Sequence, residues 1–120
     1  MKCEDFIELL IAMSGGLLAT HQTTLDEWRP DVPPVTTLFA ALGARIAVES
    51  DDASEATNQK IFSLVEGAME CGDTQLTTAV ATGLLEGLVG RAARTTGKLE
   101  RITPFLGPRS LQHVKAWMSF

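Results

Sequence analysis

Residues 34 to 50 read PVTTLFAALGARIAVES, and the arrangement of apolar side chains within them sets the fold class. Val35, Leu38, Phe39, Leu42 and Ile46 recur at three- and four-residue steps, which gathers them on one face of a helix at 100° per residue. Ala40, Ala41, Gly43, Ala44 and Ala47 keep the remaining faces small. Pro34 has the fixed φ and missing N–H that suit a first helical position. A helix with so few polar groups is predicted to lie at the centre of the molecule.

Working toward the N-terminus, residues Thr20 to Pro34 contain Pro30, Pro33 and Pro34, and the residue before each proline is biased away from helix. This stretch is predicted to be a long ordered loop. Before it, Phe6, Ile7, Leu10 and Ile11 form an apolar stripe, with Glu4, Asp5 and Glu8 favourably near a helix N-terminus. This first helix is expected to fray or bend at Gly15-Gly16.

Toward the C-terminus, Ser50-Asp51-Asp52 ends the central helix, and Asp52 followed by Glu55 has the spacing of a reciprocal capping box. The next helix runs to about Cys71, burying Ile61, Leu64, Val65 and Ala68 and turning Gln59, Ser63, Glu66 and Glu70 outward. Gly72 stops it and Asp73 caps a fourth, in which Leu76, Val80, Leu84 and Leu88 repeat every four residues, so Cys71-Gly72-Asp73 reads as a corner between antiparallel helices. Gly83, Gly87 and Gly90, with Ala79 a turn earlier, predict close backbone approach of a neighbouring helix, which offsets the cost of helical glycine. Thr95 to Thr103 reads as a basic connector, and Gly107-Pro108 opens a last helix through Leu111, Val114, Trp117 and Met118.

No alternating run or hairpin signal marks a strand. The prediction is an all-α protein: one domain over residues 1–120, a compact irregular bundle of about five to six helices with antiparallel hairpins. That length buries roughly two-thirds of the unfolded surface without disulfides or metal. The opening Met-Lys-Cys-Glu-Asp lacks the basic start of a signal peptide, and the longest small-apolar stretch, Ala79 to Gly90, is far short of a membrane span, so a cytoplasmic protein is expected.

Charge is unevenly distributed. Residues 1–73 hold 13 Asp and Glu against 4 Lys and Arg, whereas residues 74–120 hold 2 against 6, giving the halves about −9 and +4 of the total −5. A surface field of one sign speeds encounter with a complementary surface and repels nucleic acid and anionic membrane. The absence of Tyr and the 6% aromatic content also disfavour a base-stacking platform.

Chemistry-bearing residues are sparse. Cys3, Cys71, His21 and His113 have the stoichiometry of a zinc site but no ligand spacing, so no metal or cofactor is expected. Adjacent acids such as Glu4-Asp5, Asp26-Glu27 and Asp51-Asp52 point in different directions and do not make a glycosidase-like pair. Gly87-Leu88-Val89-Gly90-Arg91 lacks the Lys-Ser/Thr ending of a phosphate loop. Phe62 falls at the border of the Ile61/Val65 face beside Glu55, Gln59 and Glu66, where an acid-rimmed aromatic can anchor a basic partner.

Three stretches carry a resemblance: Val35-Thr36-Thr37-Leu38-Phe39 after its Pro-rich lead, Gly72-Asp73-Thr74-Gln75-Leu76 through Glu86, and Phe105-Leu106-Gly107-Pro108-Arg109-Ser110. Together they resemble a family of small, acidic, all-helical bacterial proteins found beside polymorphic toxin genes and read as immunity proteins. The resemblance implies a cytoplasmic, non-enzymatic antitoxin that binds a toxin domain, with the Gly72-Asp73 corner, Glu86 and Gly107-Pro108 maintaining the fold. It leaves the toxin and the binding surface open.

Joined to the charge pattern, this gives the expectation of a stoichiometric inhibitor. Its partner is a toxin domain with a basic active-site cleft, covered by Asp26, Glu27, Trp28, Asp31, Asp51, Asp52, Glu55, Phe62, Glu66 and Glu70. Two alternatives stand beside it. One is a helical adaptor or homodimer joined through Trp117, Met118 and Phe120; the other is a small hydrolase or transferase centred on His21 with Asp26, Glu27 or Asp31.

Overall fold

The structure, a computed structural model described here for residues 1–119, contains helices and no strand among those residues. In chain order they are α1 (Cys3–Ile11), α2 (Gly15–Trp28), α3 (Val35–Glu49) and α4 (Glu55–Glu70). A rod follows, made of α5 (Thr74–Thr78), a π-helical segment (Ala79–Leu85) and α6 (Glu86–Ala92). Then come α7 (Lys98–Ile102), a 3₁₀ turn (Thr103–Phe105) and α8 (Pro108–Met118). Counting the rod as one gives seven helices, slightly more than the sequence suggests.

Helix α3 is central, packed between α2 on one side and the rod on the other. Its Leu38, Phe39, Leu42, Ile46 and Ala47 are buried, and Phe39 stacks on Phe6 of α1 with ring centroids 5.4 Å apart. The small residues let the backbones of α3 and the rod nearly touch. A Cβ on Gly43 would collide with the carbonyl of Leu84, and one on Gly87 with the backbone of Ala40. Gly83 meets Phe39 and Thr36 in the same way, whereas Gly90 faces open space and takes no part in the contact.

The π segment has a reason in the sequence. Residues four apart drift by about 40° per step around a regular α-helix, so the Leu76–Val80–Leu84–Leu88 row would spiral out of the core. A stretch of wider i→i+5 turns absorbs that drift. All four side chains are fully buried, with Leu85 and Ala92 beside them.

The segment expected to be a loop folds as α2 as far as Trp28. A proline restricts only the residue before it, so Pro30 reaches back to Arg29 and no further. The Ser14 hydroxyl accepts a hydrogen bond from the Leu17 N–H and starts α2 directly before Gly15-Gly16, where a bend was expected. The true loop is residues 29–34, and α2 and α3 form an antiparallel hairpin.

Other boundaries shift for equally local reasons. The cap of α4 is Ser54, whose hydroxyl accepts from the Thr57 N–H, and not the expected Asp52/Glu55 pair. Asp73 caps α5 as expected by accepting from the Leu76 N–H, and Gly72 adopts the left-handed φ of 81° that the corner requires. The 95–103 connector contains α7, held down by the buried Ile102 and Lys98. The Lys98 ammonium donates to the Ala47 carbonyl at 3.0 Å and so satisfies an acceptor near the end of α3. No helix among the described residues is long and apolar enough to cross a membrane.

Candidate functional site

The ten residues expected to meet a partner separate into a group built into the fold and a group left on the surface. Phe62 belongs to the first. It is 1% exposed and stacks on Phe105 with centroids 5.8 Å apart, so it is a core residue and not a rim anchor. The cause is the 3₁₀ turn after α7, which closes over the α4 face that local periodicity leaves at the edge.

Glu66 is also enlisted internally. Its carboxylate accepts from the backbone N–H groups of Arg109 and Ser110 and from the Ser110 hydroxyl at 2.8–3.0 Å, completing the first turn of α8. Gly107 is needed for this, because a Cβ there would occupy the Glu66 carboxyl. Burial alone would raise the Glu66 pKa, but these hydrogen bonds outweigh it and hold the carboxyl below its ordinary value.

Asp51 accepts from the Arg101 guanidinium at 2.9 and 3.0 Å and lies 3.4 Å from the Lys98 ammonium. Its pKa is lowered, chiefly by the Arg101 hydrogen bond. This two-pronged contact ties the end of α3 to α7, so Asp51 is largely neutralised by its own chain. Glu70 is exposed, one turn from Glu66 on α4, and lines a depression with Arg109, Met69 and Thr74. Glu66 and Glu70 therefore lie along the seam against the C-terminal segment.

The second group lies on the α2 side. Asp26, Glu27 and Trp28 end α2, and Asp31 follows in the loop with its N–H donating to the Trp28 carbonyl at 2.8 Å. Asp26 pairs with the neighbouring Arg29 at 2.6 Å in full exposure, a contact worth little. Glu27, Asp31 and Asp52 have no ion-pair partner among the described residues, and Glu55 meets only the Gln59 amide at 3.5 Å. Trp28 is 39% and Val32 82% exposed, so apolar surface accompanies these carboxylates.

Two depressions lie between the ends of this surface, with an ion pair where they meet. Along the α2–α3 seam a depression of about 440 Å³ is lined by Glu27, Thr23, Ala19, Gly16, Ala41 and Arg45. It adjoins a second, of about 380 Å³, which shares Gly16 and Arg45 and continues past Glu49 to Asp52 and Thr57. Where they meet, Arg45 pairs with Glu49 at 2.9 Å, and Glu49 also accepts from the Ser14 hydroxyl. That pair lies where a Cβ of Gly16 would be. Ala53 carries the surface on to the depression holding Asp51, Glu55 and Arg101.

Sequence reasoning did not find these depressions. The signal available was the run of small and hydroxyl side chains at Gly15, Gly16, Ala19, Thr20, Thr23 and Thr24, unusual for a helix that must bury a face.

His21 sits in the middle of α2, half-buried, and its ring has no hydrogen-bond partner among the described residues. Asp26 and Glu27 follow five and six residues later, about 140° and 120° away around the helix in opposite senses, so the structure does not bring the three together. His113 instead pairs through Nε2 with Glu86 at 3.0 Å, linking α8 to α6. Cys3 is buried, which raises its thiol pKa, while Cys71 is exposed, and both are free. No three His, Cys, Asp or Glu side chains among the described residues are grouped to hold a metal ion. No protein-family model, curated protein or solved structure matches the chain.

Proposed function

We propose that this chain is an immunity protein, a cytoplasmic inhibitor that binds a cognate toxin domain one to one and occludes a basic active-site cleft. The observation that carries the reading is the α2 side of the molecule, where Glu27, Asp31 and Asp52 lack internal cations and accompany exposed Trp28 and Val32. Unpaired carboxylates beside apolar anchors suit a cationic cleft: the charges speed and orient the encounter, and the desolvated apolar groups supply most of the affinity. The three stretches that resemble toxin-linked immunity proteins support the same reading. Asp26 and Glu55 belong to the rim of this surface, while Asp51, Phe62, Glu66 and Glu70 do not.

The test is protection. Cells producing the protein encoded beside this gene should stop growing, and co-production of this chain should restore growth. Restoration should fail for the triple variant Glu27→Lys, Asp31→Lys, Asp52→Lys while its thermal unfolding matches the wild type. Unimpaired protection by the triple variant would remove this face from the mechanism.

The adaptor or homodimer reading draws on Trp117 and Met118, 36% and 49% exposed near the end of α8; Phe120, invoked with them, lies outside the described residues. Gel filtration separates the two readings. Elution as a 12.9 kDa particle argues against self-association through α8, and a dimer that dissociates on Trp117→Ser would favour it.

A further inference from the structure

Cys3 and Cys71, the two cysteines of the chain, are distant in sequence, and the fold brings them to one corner. Cys3 is the first residue of α1, which packs on α4, and Cys71 directly follows α4. The Cys71 thiol donates to the Ala68 carbonyl at 3.2 Å and reaches the Met1 carbonyl, two residues before Cys3, at 4.0 Å. Next along the chain, the Lys2 ammonium pairs with Asp73 at 2.8 Å. The segment that leads into Cys3 is therefore held across the Cys71-Gly72-Asp73 corner at two successive residues.

Only the extended Lys2 separates Met1 from Cys3, a span of at most about 3.6 Å. The Cα–Cβ bond of a helical residue tilts toward the helix N-terminus, which for Cys3 is the side that Cys71 touches. Burial is the main cause of the raised Cys3 thiol pKa, and the negative charges of Glu4, Asp73 and an ionised Cys71 add to it, so the two sulfurs lie within electrostatic reach.

We propose that Cys3 and Cys71 form a reversible disulfide that ties the start of α1 to the α4–α5 corner, with a low-molecular-weight disulfide such as oxidised glutathione as the oxidant. Cys71 is exposed and reacts first: its thiolate attacks one sulfur of the oxidant and expels the other as a thiolate, which takes up the Cys71 proton. The Cys3 thiolate then attacks the Cys71 sulfur of this mixed disulfide. The Cys3–Cys71 bond forms, the bond to the small thiol breaks, and that sulfur leaves with the Cys3 proton. In sum two protein thiols lose two electrons and two protons, and one small disulfide becomes two thiols. Cys3, 8% exposed, suits the second role, because it is shielded from free oxidant but adjoins the adduct on Cys71. The inference is independent of the inhibitor reading.

The test incubates the full chain with oxidised glutathione, quenches it with iodoacetamide and weighs it before and after digestion. Wild type should become a monomer lighter by two hydrogen atoms, with a Cys3–Cys71 cross-linked peptide and no alkylated cysteine. Cys3→Ser should stop at the glutathione adduct on Cys71, and Cys71→Ser should leave Cys3 largely unreacted. In glutathione redox buffers the effective concentration of the two thiols should be at least about tenfold higher in the folded chain than in urea, where the long loop must close at random. The oxidised protein should correspondingly unfold at least about 5 °C above the reduced form. A wild type that stalls as the Cys71 adduct, that pairs Cys71 with a second chain, or whose thiols show no higher effective concentration folded than unfolded would overturn the inference.

Discussion

Glu66 accepts three hydrogen bonds from the first turn of α8, and that use of a carboxylate has a pH signature. Its pKa in the folded chain lies below the ordinary 4.5, so in the window beneath 4.5 the unfolded chain binds the extra proton. The contribution of Glu66 is fully present above that value and is lost as pH falls through the folded pKa. Urea unfolding of Glu66→Gln should accordingly be less stable than wild type by about 1 kcal/mol at neutral pH, a typical helix-cap loss, with the gap shrinking below pH 4.5. Phe62 gives a second test at this scale. Phe62→Ala should cost about 3–5 kcal/mol of stability, as a buried aromatic does, whereas an exposed anchor would leave the unfolding midpoint nearly unchanged. Neither role was legible in sequence, because Arg109, Ser110 and Phe105 lie more than forty positions from Glu66 and Phe62, beyond any local periodicity.

Among the elements, the pairing of α3 with the rod depends on glycines that play opposite parts. Gly43→Ala should destabilise by about 1–3 kcal/mol, because the added methyl meets the Leu84 carbonyl and the overpacking exceeds the helix-propensity gain. Gly67→Ala on α4 and Gly90→Ala on α6 meet nothing within 4 Å and should each stabilise by about 0.5–1 kcal/mol. Thermal unfolding of the three variants checks the signs together. The central helix was legible because its apolar spacing is regular and its other faces are small. Helix α2 was not, since a helix that buries only Leu17 and Thr24 carries almost no periodic signal, and the three prolines that follow it suggested a break earlier than Arg29. The connector at 95–103 hid α7 for a related reason: its anchor is a lysine, Lys98, which a hydrophobic pattern does not register.

Across the whole molecule, the opposed charges of the two halves are partly spent on folding. Asp51 meets Arg101 and Lys98, and Glu66 meets the start of α8, each joining the acidic half to the basic one. Of the acids with no ion-pair partner among the described residues, Glu27, Asp31 and Asp52 lie on the α2 side beside exposed Trp28 and Val32, while Glu8 on α1 and Glu70 on α4 lie elsewhere. A carboxylate field steers association with a cationic surface, and salt screens it within about 8–10 Å. The most direct test of the inhibitor account is the association rate between this chain and the protein encoded beside its gene, measured from low to high salt for wild type and for the Glu27→Lys, Asp31→Lys, Asp52→Lys variant. The account predicts a wild-type rate that falls steeply with salt and a variant at least about tenfold slower at low salt, with the two converging at high salt. Equal rates at every salt concentration would contradict it.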